Sequence, residues 1–139
     1  MQPLLVITGV FLAVAVIFYV YRRMQEMRER RIYRNEYRTA VTIWDFARAV
    51  KGNTDEMIRQ RTEVLDFTKI MIPHGVGYRI SLELTAPQFR IYGIPDRYNK
   101  TGRLSFYADN TLTVRAYDHS GRVASESDPE YTGDDPPAR

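Results

Sequence analysis

The spacing of apolar residues divides the chain into three stretches. From Pro3 to Tyr21 the sequence PLLVITGVFLAVAVIFYVY has no charged side chain. As a helix rising about 1.5 Å per residue, this run would reach roughly 28 Å, close to the roughly 30 Å hydrocarbon core of a bilayer. Tyr19 and Tyr21 stand at its end, where amphipathic rings favour an interface, and Arg22-Arg23 stop it. The pattern predicts a transmembrane anchor over residues 1–22. A cleaved signal peptide would carry a basic n-region, a shorter apolar core and a small-residue cleavage site. Here nothing basic precedes the run, and bulky Tyr and Arg follow it.

Residues 24–50 contain neither Gly nor Pro, so the same helix is expected to continue through an amphipathic stretch, 23–52. Tyr33, Tyr37, Ala40, Trp44 and Ala47 recur at steps of four and three, which places them on one face, and Ile43, Phe46 and Val50 widen it. Lys51-Gly52 is the expected stop. Asn53-Thr54-Asp55-Glu56 has the form of a capping box. It predicts a second short helix over 54–71, ended before Pro73, with Met57, Ile58, Val64, Leu65 and Ile70 on its buried side.

From Gly75 the period becomes two. Tyr78, Ile80, Leu82 and Leu84 alternate with Arg79, Ser81 and Glu83, which predicts a half-buried strand. Ala86-Pro87 marks a turn, and Phe89 to Ile94 a second strand. Leu104 to Ala108 and Thr111 to Tyr117 are the third and fourth, joined by a hairpin turn at Asp109-Asn110. Ser120-Gly121 is a further turn. The soluble α+β domain is placed at 53–125. The stretch 126–139, acidic and with a Pro136-Pro137 pair, is expected to be a flexible tail. The fold class is therefore α+β. A long N-terminal helix, transmembrane and then amphipathic, packs on a small antiparallel sheet of about four strands, and the second short helix bridges them.

Composition adds constraints. There is no cysteine, so disulfides and thiolate metal sites are excluded. The formal net charge is +3, with seven arginines and three glutamates in residues 22–38. Arg22, Arg23, Arg28, Arg30 and Arg31 are candidate contacts to anionic lipid headgroups, each contributing about 1 kcal/mol at such a surface. The competing reading is a helical flank carrying Arg–Glu pairs such as Glu26–Arg30; nucleic acid is not expected as a partner. On the apolar run, Leu5, Gly9, Ala13, Val16 and Tyr19 are the candidate helix-packing positions, with small residues allowing close approach.

Catalytic chemistry finds little support. His74 and His119 are far apart in sequence and lack partners at metal-ligand spacing. Ser81, Ser105, Ser120, Ser125 and Ser127 have no nucleophile-elbow context. Asp109, Asp118 and Asp128 read as turn residues, Gly75-x-Gly77 as a turn, and Asn99-Lys100-Thr101 as a glycosylation acceptor pattern of the kind that arises often by chance. The ten tyrosines fall mostly at packing positions. No nucleophile–base pair, metal cluster or phosphate loop is visible. An enzyme, a cofactor and a small-molecule substrate are not expected.

One further pattern bears on function. The second half carries Gly77-Tyr78-Arg79, the run Tyr98-Asn99-Lys100-Thr101-Gly102-Arg103-Leu104-Ser105-Phe106-Tyr107, then Asp109, Arg115, Asp118, Gly121, Ala124 and Asp128-Pro129. With the hydrophobic N-terminal helix, this resembles type IV pilins and pseudopilins over residues 75–130 in pattern and 3–50 in architecture. The pilin leader ending in Gly, and the Glu five residues beyond it, have no counterpart: Met1 leads straight into the apolar run. A start placed downstream of the true one would explain both.

The resemblance implies a structural or assembly membrane protein, a subunit or accessory component of a type IV pilus or type II secretion-like system. It would be single-pass in the inner (cytoplasmic) membrane, with its domain extracytoplasmic. Its partners would be membrane lipid and other proteins, or further copies through the N-terminal helix. The basic flank argues for the opposite sidedness. That would suit the alternative, a membrane-tethered binding module that positions a partner at the bilayer.

Overall fold

The computed structural model describes residues 3–60, 71–85 and 87–133. The chain divides into two compact units, Met1–Arg31 and Ile32–Arg139. The first helix, α1, spans Pro3–Gln60, 58 residues. Four strands follow: β1 (Tyr78–Thr85), β2 (Gln88–Pro95), β3 (Ser105–Asp109) and β4 (Arg115–Tyr117). They form one antiparallel sheet in the order β1-β2-β3-β4. The class is α+β, a long N-terminal helix on a four-stranded antiparallel sheet.

Two expectations about α1 are corrected. No helix among the described residues is long and apolar enough to cross a membrane. The transmembrane reading of residues 1–22 fails with that, as does a single-pass placement in the inner membrane with an extracytoplasmic domain. The helix also does not stop at Gly52. Thr54 Oγ1 donates to the Lys51 carbonyl (2.9 Å) and Asn53 Nδ2 to the Ala49 carbonyl (3.0 Å). Both side chains thus bond backward along a continuing helix instead of capping a new one. A separate second short helix is not seen: 54–60 belong to α1, and 61–70 lie outside the described residues.

In the unit Ile32–Arg139, the buried face of α1 is Ile32, Asn35, Glu36, Thr39, Ala40, Ile43, Phe46, Ala47 and Val50. Steps of three and four place these on one side of a helix. The face is rotated from the expected one. Tyr33, Tyr37 and Trp44 stand 45%, 52% and 42% exposed, while Asn35, Glu36 and Thr39 are buried. Ile43, Phe46 and Val50 join Ile80, Phe89, Ile91, Leu104 and Phe106 in one core cluster. Tyr78 and Tyr131 contact Phe106 edge-on, with ring centroids 5.6 and 5.4 Å away.

β1, β2 and β3 lie close to where the sequence predicts them, whereas β4 is shorter, Arg115–Tyr117 in place of Thr111 to Tyr117. β1 and β2 pair without a bulge, from Tyr78↔Pro95 to Thr85↔Gln88. Tyr78, Ile80, Phe89, Ile91 and Phe106 take the core side of the sheet, and Arg79, Ser81, Glu83 and Arg90 the outer side. The β3–β4 connection is wider than a two-residue hairpin. Leu112 holds its positive φ of 60°, and its N–H donates to the Asp109 carbonyl. Ser120 and Gly121 turn through positive φ values as expected (55° and 81°).

Residues 126–133 form no loose tail. The Ala116 N–H donates to the Pro129 carbonyl and the Tyr131 N–H to the Val114 carbonyl, so this stretch covers the β4 edge. Residues 134–139 lie outside the described residues.

Candidate functional site

The described residues of the N-terminal unit are helical, and many of their apolar side chains are unburied. Phe11, Leu12, Ile17, Phe18 and Tyr19 stand 65–73% exposed. Of the candidate packing positions, Gly9, Ala13, Val16 and Tyr19 are all exposed, and a Cβ on Gly9 would meet nothing within 4 Å. Spacings of four and three place them within about a third of the helix circumference. Leu5 lies in α1, and its side chain is outside the described residues. Scattered exposed apolar residues are ordinary; here they follow one another along a single helical segment.

The arginines flanking this band do not form one group. Arg22 and Arg23 both face Glu26, each at 3.7 Å. Arg28 is half-buried, while Arg30 and Arg31 are exposed. The pair expected between Glu26 and Arg30 is thus replaced by pairs on the N-terminal side of Glu26. Exposed helical pairs of this type contribute about 0.3–0.5 kcal/mol.

In the second unit, two polar side chains on α1 and one on β1 organise the loop between β2 and β3. Asn35 Nδ2 donates to the Thr101 carbonyl (2.9 Å). The Glu36 carboxylate accepts the Arg103 N–H (2.7 Å) and the Leu104 N–H (3.1 Å). Burial raises the Glu36 carboxyl above the usual range, although both backbone bonds and the Arg103 charge pull it down. Tyr78 Oη donates to the Leu104 carbonyl (2.8 Å), and a Cβ on Gly102 would collide with the Tyr78 ring. The run Tyr98 to Tyr107 is therefore a loop clamped against α1 and β1. Sequence reading passed over Asn35 and Glu36, and the only available signal was a polar pair interrupting an otherwise regular apolar stripe.

The acids singled out in sequence act as turn acceptors. Asp109 accepts from the Thr111 N–H and hydroxyl and from Tyr107 Oη. Burial pushes its carboxyl up, but these bonds and the Arg115 charge outweigh that and hold it below its ordinary value. Asp118 accepts from Tyr98 Oη and the Ser120 N–H. The buried Asp128 takes the Ser125 N–H and His119 Nε2, both at 2.7 Å. His74 is exposed and lies remote in sequence from this cluster. Among the described residues, no group of three His, Cys, Asp or Glu side chains could hold a metal ion.

A groove of about 330 Å³ runs between α1 and the β3–β4 side of the domain, lined by Tyr37, Val41, Trp44, Leu112, Tyr131 and Gly133. The Arg48 guanidinium lies over the Trp44 ring, 4.6 Å from its centroid. Tyr33 Oη donates to the Gly133 carbonyl at one end (2.9 Å). These geometries define the protein as an α+β domain joined to a helical segment rich in exposed apolar side chains. Compared with protein-family models, curated proteins and solved structures, the chain matches none of the three.

Proposed function

We propose that this chain is a structural assembly subunit of pilin-like type, a component of a type IV pilus or type II secretion-like system. Its N-terminal helical segment packs laterally against the same segment of other copies, and the α+β domain is the part displayed. The observation that carries the reading is the exposure of Phe11, Leu12, Ile17 and Phe18 on one helical segment. Burying apolar surface yields about 25 cal/mol per Å², so covering such a band drives association strongly. Gly9 and Ala13 suit that packing, because small residues let two helix axes approach towards the short end of the usual 8–10 Å range. The pattern shared with pilins over residues 75–130 supports the same assignment.

The test is sedimentation of the purified full chain beside Val16→Arg and Gly9→Leu variants. The unaltered chain should form large assemblies, and both variants should sediment as much smaller species with unchanged circular dichroism. Equal sedimentation of all three would overturn the proposal.

A further inference from the structure

Among the described residues, the sheet has one covered edge and one edge with no strand beside it. Residues 128–131 cover β4 through the Ala116–Pro129 and Tyr131–Val114 bonds. On the far side of β1, no strand pairs among the described residues. In an antiparallel pair, residues alternate between those that bond the neighbouring strand and those whose N–H and C=O point away. The Asp96 N–H donates to the Gly77 carbonyl (3.0 Å), in the same register as Tyr78↔Pro95. Odd-numbered residues of β1 therefore bond β2, and Ile80, Leu82 and Leu84 present their backbone groups outward. Gly75 packs over the Tyr78 carbonyl, so the free edge begins at Ile80.

Edges of this kind are usually blunted by Pro, a bulge or a very short strand. β1 has eight residues, YRISLELT, with no Pro and no bulge, and its only charged side chains are Arg79 and Glu83. Its sequence is instead complementary to itself. A two-fold axis through Ser81 sets Ile80 opposite Leu82 of a second copy, and Arg79 opposite Glu83. The charge pair occurs twice, once on each side of the axis. Arg79, Ser81 and Glu83 are all exposed on the outer face of the sheet. Being odd-numbered, they fall at non-hydrogen-bonded positions of the new ladder, where opposing side chains come closest. A shift of the axis by one residue or more sets neither arginine against a glutamate.

We propose that β1 is a pairing edge for a second copy of this chain. Two β1 strands add antiparallel about Ser81, joining two four-stranded sheets into one continuous sheet. The paired backbone groups of Ile80 and Leu82 supply the adhesion, and the Arg79–Glu83 pairs fix the register. Such an interface is isologous, as two-fold symmetry requires. It lies wholly within the unit Ile32–Arg139 and needs nothing from the N-terminal segment, so it stands or falls separately from helix-driven assembly.

The absence of cysteine makes the test direct. Ser81→Cys places the only thiol on the two-fold axis, facing its own copy at a separation that suits a disulfide. Under mild oxidation the full-length S81C chain should form a covalent dimer, whereas exposed Glu126→Cys, used as the control, should not. Adding Arg79→Glu should slow cross-linking about tenfold by setting like charges opposite each other. The swap Arg79→Glu with Glu83→Arg should restore the rate. A mixture of Arg79→Cys and Glu83→Cys chains should give the mixed dimer in preference to either self-dimer, and this keeps the test sound if S81C folds poorly. Adding Val16→Arg to S81C should leave cross-linking unchanged. Equal cross-linking of S81C and E126C, failure of the swap to restore the rate, or loss of the S81C dimer with Val16→Arg would each overturn the proposal.

Discussion

A Cβ on Gly93 of β2 would stand 2.6 Å from Ile43 Cδ1 on α1, and 3.4 Å from Phe106 Cβ and Thr39 Cγ2. Both Ile43 and Gly93 are buried, so helix and sheet meet here with no room for one methyl group. Gly93→Ala should destabilise the domain by about 1–3 kcal/mol through overpacking. Ile43→Val removes the colliding carbon, so the double variant should recover most of that loss. Denaturant midpoints of the four chains close a double-mutant cycle, and additive effects would show that the two residues do not compete for the same space.

Thr39 lies beside that contact, 1% exposed, and its Oγ1 has no hydrogen-bond partner among the described residues. A buried hydroxyl left unpaired costs about 1–3 kcal/mol. Thr39→Val keeps the branched shape and removes the polar atom. It should raise stability by about 1 kcal/mol, seen as a higher thermal midpoint at unchanged enthalpy per residue. A loss of stability would mean that the hydroxyl is satisfied in solution.

The strands were legible because β1 and β2 each have one dry and one wet face, which writes period two into the sequence. The helix was harder for two physical reasons. Gly52 costs roughly 1 kcal/mol in a helix interior, and that local preference is overridden by α1 continuing to Gln60. Hydropathy also ranks Tyr33, Tyr37 and Trp44 above Asn35, Glu36 and Thr39, yet the second group is buried. Asn35 and Glu36 go inside because Thr101, Arg103 and Leu104 offer backbone partners there, and hydropathy does not record partners. The acidic character of 126–133 hid its docking for the same reason: Asp128 and Tyr131 are held by hydrogen bonds to specific partners. The exposed helical band is plain in the sequence as an apolar run, yet no helix among the described residues is long and apolar enough to cross a membrane.

Glu36 should make stability depend on pH. Burial raises its folded-state carboxyl above the ordinary value of 4.5, so in that window the native state binds the proton more tightly than the unfolded chain. Stability contributed by this site then falls as pH rises from the unfolded value through the folded one, and is level on either side. Glu36→Gln keeps an acceptor for the Arg103 and Leu104 amides and removes the titration. The difference in unfolding free energy between the unaltered chain and E36Q should therefore shift in favour of the unaltered chain as pH drops from 7 towards 4. Glu36→Ala should be worse than either at every pH, by about 1–3 kcal/mol, because two amides lose their acceptor.

Asp128 holds the strap over β4. Its carboxylate takes the Ser125 N–H and His119 Nε2, and its own carbonyl accepts Arg115 Nη1 (2.9 Å). Three residues on, the Tyr131 N–H bonds Val114, and the Tyr131 ring meets Phe106. Asp128→Ala removes the side-chain bonds but leaves the backbone free to pair, so the strap should open locally without unfolding the domain. The Ala116 and Tyr131 amides, which depend on that strap, should exchange with solvent about tenfold faster or more. The Ile91 and Phe106 amides, inside the sheet, should keep their protection. His119→Ala retains the Asp128–Ser125 bond and should give a smaller change at the same two amides. Uniform acceleration at all four positions would mean that the strap and the sheet open as one unit. Only a response confined to Ala116 and Tyr131 fits a strap that guards its edge independently.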